Sequence, residues 1–168
     1  MTTAELLAEA LSRVKEVVHA AASGLTTDQL AYQPQPGANS IGWLLWHLTR
    51  VQDDHVAEVA EREQVWTAEG WADRFGLPFD ESETGYGFSP AQVDQVRVES
   101  PDLLLHYAAD VHARTVDFLR GLTDSDLDRV VDTRWDPPVT LGVRLVSVLS
   151  DDFQHIGQAA YVRGLLSS

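Results

Sequence analysis

Three side chains have types and spacings that suit a divalent metal ion: His47, Asp151 and His155. His155 lies in the run VLSDDFQHIGQAAYV, with Asp151 four residues before it. On a helix, positions i and i+4 project from one face, so a carboxylate and an imidazole at that spacing reach one ion. His47 lies in IGWLLWHL, a segment apolar on every side. Burial there favours the neutral imidazole, which is the form that binds metal. It equally demands that both ring nitrogens find partners, so a hydrogen-bonded core histidine is the competing role.

One imidazole from the second long helix and a carboxylate–imidazole pair from the last make a three-donor N/O set. Such a set leaves coordination positions open for water or substrate, as catalytic sites do and closed structural sites do not. The donors suit zinc, nickel, iron or manganese. Two alternatives stay open on sequence alone. Asp152 sits nearer the centre of its helix's apolar stripe than Asp151 and rivals it as third ligand, while His55 lies nearer the centre of its own stripe than His47. Asp54, seven residues after His47, is a candidate for supporting a ligand from outside. His19, His106 and His112 have the setting of ordinary surface or core residues.

These side chains need helices to carry them. A first helix is expected from about Thr3 to Ser23, opened by a Thr2–Glu5 capping box and stopped by Gly24. Residues 33–39, QPQPGAN, exclude helix, and Ser40 caps a second from about Ile41 to Arg62. Residues 63–99 are irregular and rich in aromatic side chains. A loop this long suits a lid or binding wall, or a flap folded back for packing, with Ser89-Pro90 opening a short helix through Val98. Ser100-Pro101-Asp102 starts the third helix, which runs to about Arg120 before Gly121. Thr140 caps the fourth, Leu141 to about Leu165. No strand is expected, Val130-Val131 being too short. GLTTDQL after helix one is echoed by GLTDSDL after helix three, as if two like helix pairs shared one core. The expected fold is all-α: an antiparallel four-helix bundle in a single domain over residues 1–168, with a long aromatic-rich loop between helices two and three.

Composition narrows the function. The 168 residues contain no cysteine, which excludes disulfides, thiolate metal sites and a cysteine nucleophile. Any thiol chemistry must import its thiol. The net charge of −14 opposes phosphate backbones and anionic membranes, so no nucleic-acid or membrane partner is expected. No apolar run reaches the roughly 18 residues of a membrane span. The acidic, amphipathic start MTTAELLAEALSRVKE lacks the form of a signal peptide, which points to the cytoplasm.

SIGWLLWHLTRVQDDH resembles the second helix, and DDFQHIGQAAYVRGLL the fourth, of the DinB-like superfamily. The similarity extends through helix order and loop size and resembles most the actinobacterial DUF664 branch, near the mycothiol-dependent maleylpyruvate isomerase N-terminal domain. It implies a DinB-like bundle holding a divalent metal through one helix-two histidine and a helix-four histidine preceded four positions earlier by His or Glu. Carried onto this chain, those are His47, His155 and Asp151, the last a departure because Asp reaches less far than Glu or His. Gln158 falls where such relatives place Gln or His, as a substrate contact or support. The resemblance implies a metal-dependent enzyme acting on a small molecule, as a transferase or isomerase using mycothiol or another low-molecular-weight thiol. Hydrolysis by a metal-activated water is a variant. The substrate pocket would be walled by Trp43, Trp46 and residues 63–88. The alternative is a non-enzymatic, stress-associated binding or dimerisation module with a vestigial metal site. A homodimer paired along exposed helix faces fits either.

Overall fold

The computed structural model describes residues 1–166. Four long helices dominate: α1 (Thr3–Ala22), α3 (Ile41–Ala60), α7 (Pro101–Arg120) and α8 (Leu141–Leu166). Between them lie the short helices α2 (Thr27–Leu30), α4 (Val65–Ala68), α5 (Trp71–Phe75) and α6 (Pro90–Val93), and a 3₁₀ turn over Asp124–Asp128.

Helix starts follow their caps. Thr2 and Glu5 form the expected capping box, Ser40 accepts from the Trp43 amide, and Ser100 accepts from the Asp102 amide. The helix opened by Ser89-Pro90 ends at Val93, short of Val98. The echoed segments share one local device. Thr26 caps α2 with Gln29 bonding back to its amide, and Thr123 opens the 3₁₀ turn with Asp126 in that role.

α1 and α3 each pack against both α7 and α8, so the four helices surround a common apolar core. The contacts also give their directions. His47 meets His155 while His55 meets Arg144, so α3 and α8 run antiparallel. Val18 and His19 lie beside Asp102 and Leu105, and Ala8 beside Val116 and Arg120, so α1 and α7 do too. In contrast, Asp53 bonds Tyr107 and Arg62 bonds Asp117, which makes α3 and α7 parallel. Ala21 bonds Arg163 at the far end from the Leu11–Leu141–Leu145 cluster, which makes α1 and α8 parallel. The arrangement expected from sequence, antiparallel throughout, therefore holds for two of these four pairings. The cause is the connection between α3 and α7. Parallel neighbours about 30 Å long need a chain that returns the full length, and the aromatic-rich segment provides it.

That segment is anchored from α3. The Asp53 carboxylate accepts the amides of Val65 (2.9 Å) and Trp66 (2.8 Å) and the Tyr107 hydroxyl (2.9 Å), supplying the acceptor that starts α4. Arg50, fully buried, donates to the carbonyls of Glu83 (3.2 Å) and Glu81 (3.1 Å) and to Gln64 Oε1 (2.6 Å), with its guanidinium over Trp66. Trp66, Trp71, Phe75 and Tyr107 pack ring to ring beneath it. Most of the aromatic segment is therefore core.

A small hairpin corrects the expectation of no strand: β1 (Val130–Asp132) pairs antiparallel with β2 (Val139–Thr140). Buried Asp132 ties the hairpin to α8 through Arg144 (3.1 Å).

Candidate metal centre

The register of α3 on α8 decides which histidines meet. It sets His47 opposite His155, ring centroids 4.6 Å apart and planes at 74°. Asp151, one turn before His155, closes the group, and one ligand atom from each of the three lies within 4.8 Å of the others. His47 is buried, and Asp151 and His155 are half-buried.

Each imidazole is held by its Nδ1 on a carbonyl. His47 Nδ1–H donates to the Thr84 carbonyl at 2.6 Å, and His155 Nδ1–H to the Asp151 carbonyl at 2.8 Å. In the neutral ring that leaves Nε2 as the electron-pair donor on both histidines, the state a metal needs. Trp43 stacks on the His47 ring, centroids 4.5 Å apart and planes within 15°. Gly85 passes the Nδ1 edge of the ring with a left-handed φ of +89°. A Cβ there would come within 2.9 Å of the Trp46 ring and 3.0 Å of His47 Nδ1. Glycine is what lets the chain pass close enough for Thr84 to reach the imidazole.

Burial lowers the pKa of His47, outweighing the Thr84 hydrogen bond that favours its charged form; nearby His155 lowers it further. His155 moves the other way. Burial opposes its charge, but the Asp151 carboxylate and carbonyl together raise its pKa. Asp151 Oδ2 is buried and accepts no hydrogen bond, though it lies 3.2 Å from His155 Nδ1. A buried anionic oxygen beside two imidazoles with free Nε2 atoms fits a divalent cation.

The alternatives separate on geometry. Asp152 is fully buried and is not part of the triad, and neither of its oxygens has a partner; burial, with Asp151 nearby, pushes its carboxyl well above the usual range. His55 accepts from Arg144 Nη1 (3.0 Å) within the Arg144–Glu58–Asp132 cluster and does not join the triad. Asp54 accepts from Gln64 (2.8 Å) and does not brace His47. Thr84 braces it, and only the tight-turn run Gly85-Tyr86-Gly87 hinted at a close approach there. Gln158 is exposed, one turn beyond His155. Trp46 does not wall the site either, for it turns into the core against Trp66 and Phe88. His19 and His106 are exposed, and half-buried His112 lies 3.4 Å from Ser12.

A family model of the DinB superfamily matches residues 10–159, nearly the whole helical frame just described. The chain belongs to the DinB superfamily. A crystal structure of a conserved protein from Enterococcus faecalis superposes with a TM-score of 0.90 at 32% identity, covering 97% of this chain and 96% of that one. No curated protein matches the chain. Membership agrees with the helical fold and with a candidate site shared between α3 and α8. No helix among the described residues is long and apolar enough to cross a membrane.

Proposed function

We propose that this DinB-superfamily chain is a metal-dependent enzyme acting on a small molecule, with His47, Asp151 and His155 as the ligands of zinc, nickel, iron or manganese. One observation carries it: two imidazoles from separate helices, each fixed by a carbonyl on Nδ1, converge with a buried carboxylate oxygen that accepts no hydrogen bond.

When bound, a divalent ion supplies a Lewis acid that lowers the pKa of a thiol or water at its open positions. The protein's own part is orientation and exclusion of water. Thr84 and the Asp151 carbonyl hold the two rings, and Trp43 covers one face of His47. A chain without cysteine suits chemistry on a thiol brought from outside, so the favoured reaction is transfer or isomerisation with mycothiol or a similar low-molecular-weight thiol, as in the DUF664 branch. Hydrolysis is the variant.

A second function has one observation in its favour. A protonated His155 lies within ion-pair distance of Asp151 at 3.2 Å and neutralises its charge without metal, and Asp has less reach than Glu. That suits a binding module with a vestigial site. Metal analysis of purified protein followed by a thermal-shift screen with thiols separates them. Stoichiometric metal, and a further shift with a thiol, support the enzyme. Bound metal with no response to any thiol leaves hydrolysis, and protein without metal affinity overturns the proposal.

A further inference from the structure

α8 carries two apolar faces, and only one of them is buried. Leu141, Leu145, Val148, Ile156, Ala159 and Val162 face the core. On the opposite side Val143, Val146, Ser150, Phe153, Gly157, Ala160 and Gly164 are all exposed. Their spacing is 3, 4, 3, 4, 3 and 4 residues, the a/d repeat of a helix that pairs with another helix. The large members are well out in solvent: Val143 at 53%, Val146 at 60% and Phe153 at 46%, flanked by Tyr161 at 68%. Gly157 and Gly164 have open space where a Cβ would stand, so a partner backbone can approach closely.

Charge identifies the occupant. The chain has 26 acidic and 12 basic residues, yet none of the exposed residues of α8 from Val143 to Gly164 is charged. The exposed face of α1, by contrast, displays Glu5, Glu9, Arg13, Lys15 and Glu16. A −14 chain meeting a copy of itself juxtaposes like charges on most faces. This stripe spares it that repulsion, and a two-fold axis makes one stripe complementary to its own copy. We propose that the outer face of α8 is the self-association surface, packed against α8 of a second copy. A helix pair of roughly 32 by 10 Å covers less than the ~800 Å² per partner of a standard interface, so micromolar association is expected.

Asp151 and His155 lie on the far side of α8 from this seam, so seam variants leave metal binding untouched and the two proposals fail separately. Sedimentation equilibrium from about 1 to 200 µM is expected to show a monomer–dimer equilibrium, bracketing micromolar affinity. Phe153→Glu with Val146→Glu is expected to weaken it at least tenfold, with unchanged circular dichroism and metal stoichiometry. Leu6→Glu, on exposed α1, leaves it unchanged. In this cysteine-free chain Phe153→Cys, at the middle of the stripe, gives a cross-linked dimer under mild oxidation, suppressed by Val146→Glu. A monomer throughout the range, or a dimer indifferent to both glutamates, overturns the assignment.

Discussion

The imidazoles of His47 and His155 stand edge to face with centroids 4.6 Å apart, although 108 residues separate them in the chain. Nothing local brings them together; the register of α3 on α8 does. Metal affinity should therefore depend on both equally. His47→Ala and His155→Ala are each expected to abolish stoichiometric binding of zinc or nickel. In the parent, a metal at 100 times its dissociation constant adds about 2.7 kcal/mol, or roughly 5–11 °C in Tm for a domain of this size. Melting with and without chelator checks this: both variants should melt alike under the two conditions, and the parent should not.

Much of this arrangement was legible in the sequence. Asp151 and His155 declare their common face through i,i+4 spacing, and Ser40, Ser100 and Thr140 mark helix starts because capping is a local interaction. The choice between His47 and His55 was not legible. Both lie on α3, eight residues apart, and only the pairing with α8 sends one to His155 and the other to Arg144. Asp152 looked a better core residue than Asp151 and is one. It lies outside the group that His47, Asp151 and His155 form. The β1–β2 hairpin is not legible in the sequence because strands of three and two residues carry no readable alternation.

Gly85 is expected to be a sensitive position remote in sequence from every ligand. Gly85→Ala places a methyl group against Trp46 and His47 Nδ1 in a left-handed backbone conformation. The strain and overpacking cost about 2–5 kcal/mol unless the turn moves, and if it moves Thr84 leaves His47. Loss of such a support weakens metal binding about 10–100-fold. Gly87→Ala, also left-handed but with open space around its Cβ, isolates the backbone strain. Isothermal titration with zinc should separate the two, and equal affinities in both variants would remove Thr84 from the site.

Acidification should destabilise the metal-free protein. Burial lowers the pKa of His47, His55 and His112, so below the unfolded value near 6.5 the unfolded chain binds protons that these folded rings refuse, and stability falls with pH. His155, with its raised pKa, contributes the opposite: stability present below its unfolded value and lost as pH rises through the folded one. The raised carboxyls of Asp152 and Asp53 oppose the fall too but are common to parent and variant. His155→Gln removes one opposing contribution, so its denaturation free energy should fall more steeply than the parent's between about pH 7 and 5. Urea melts at intervals across that range measure the slope, and a shallower slope in the variant contradicts the Asp151–His155 interaction.

Arg50 links the core to the metal centre from one turn beyond His47. Its guanidinium holds the Glu81 and Glu83 carbonyls, and the next residue, Thr84, is the one that holds His47. Arg50→Lys keeps the charge but cannot span those two carbonyls and Gln64 together, because an ammonium lacks the planar fork. Leaving buried partners unsatisfied costs about 1–3 kcal/mol each, so a Tm loss of several degrees is expected. That loss alone would make Arg50 structural. Its positioning role predicts in addition that zinc affinity falls well below the unfolding temperature, where circular dichroism is unchanged. It also predicts that the His47 ring loses its fixed Nδ1–H tautomer, which ¹⁵N shifts of the imidazole report. An intact tautomer in a destabilised Arg50→Lys protein would confine Arg50 to the packing of Trp66 and its neighbours.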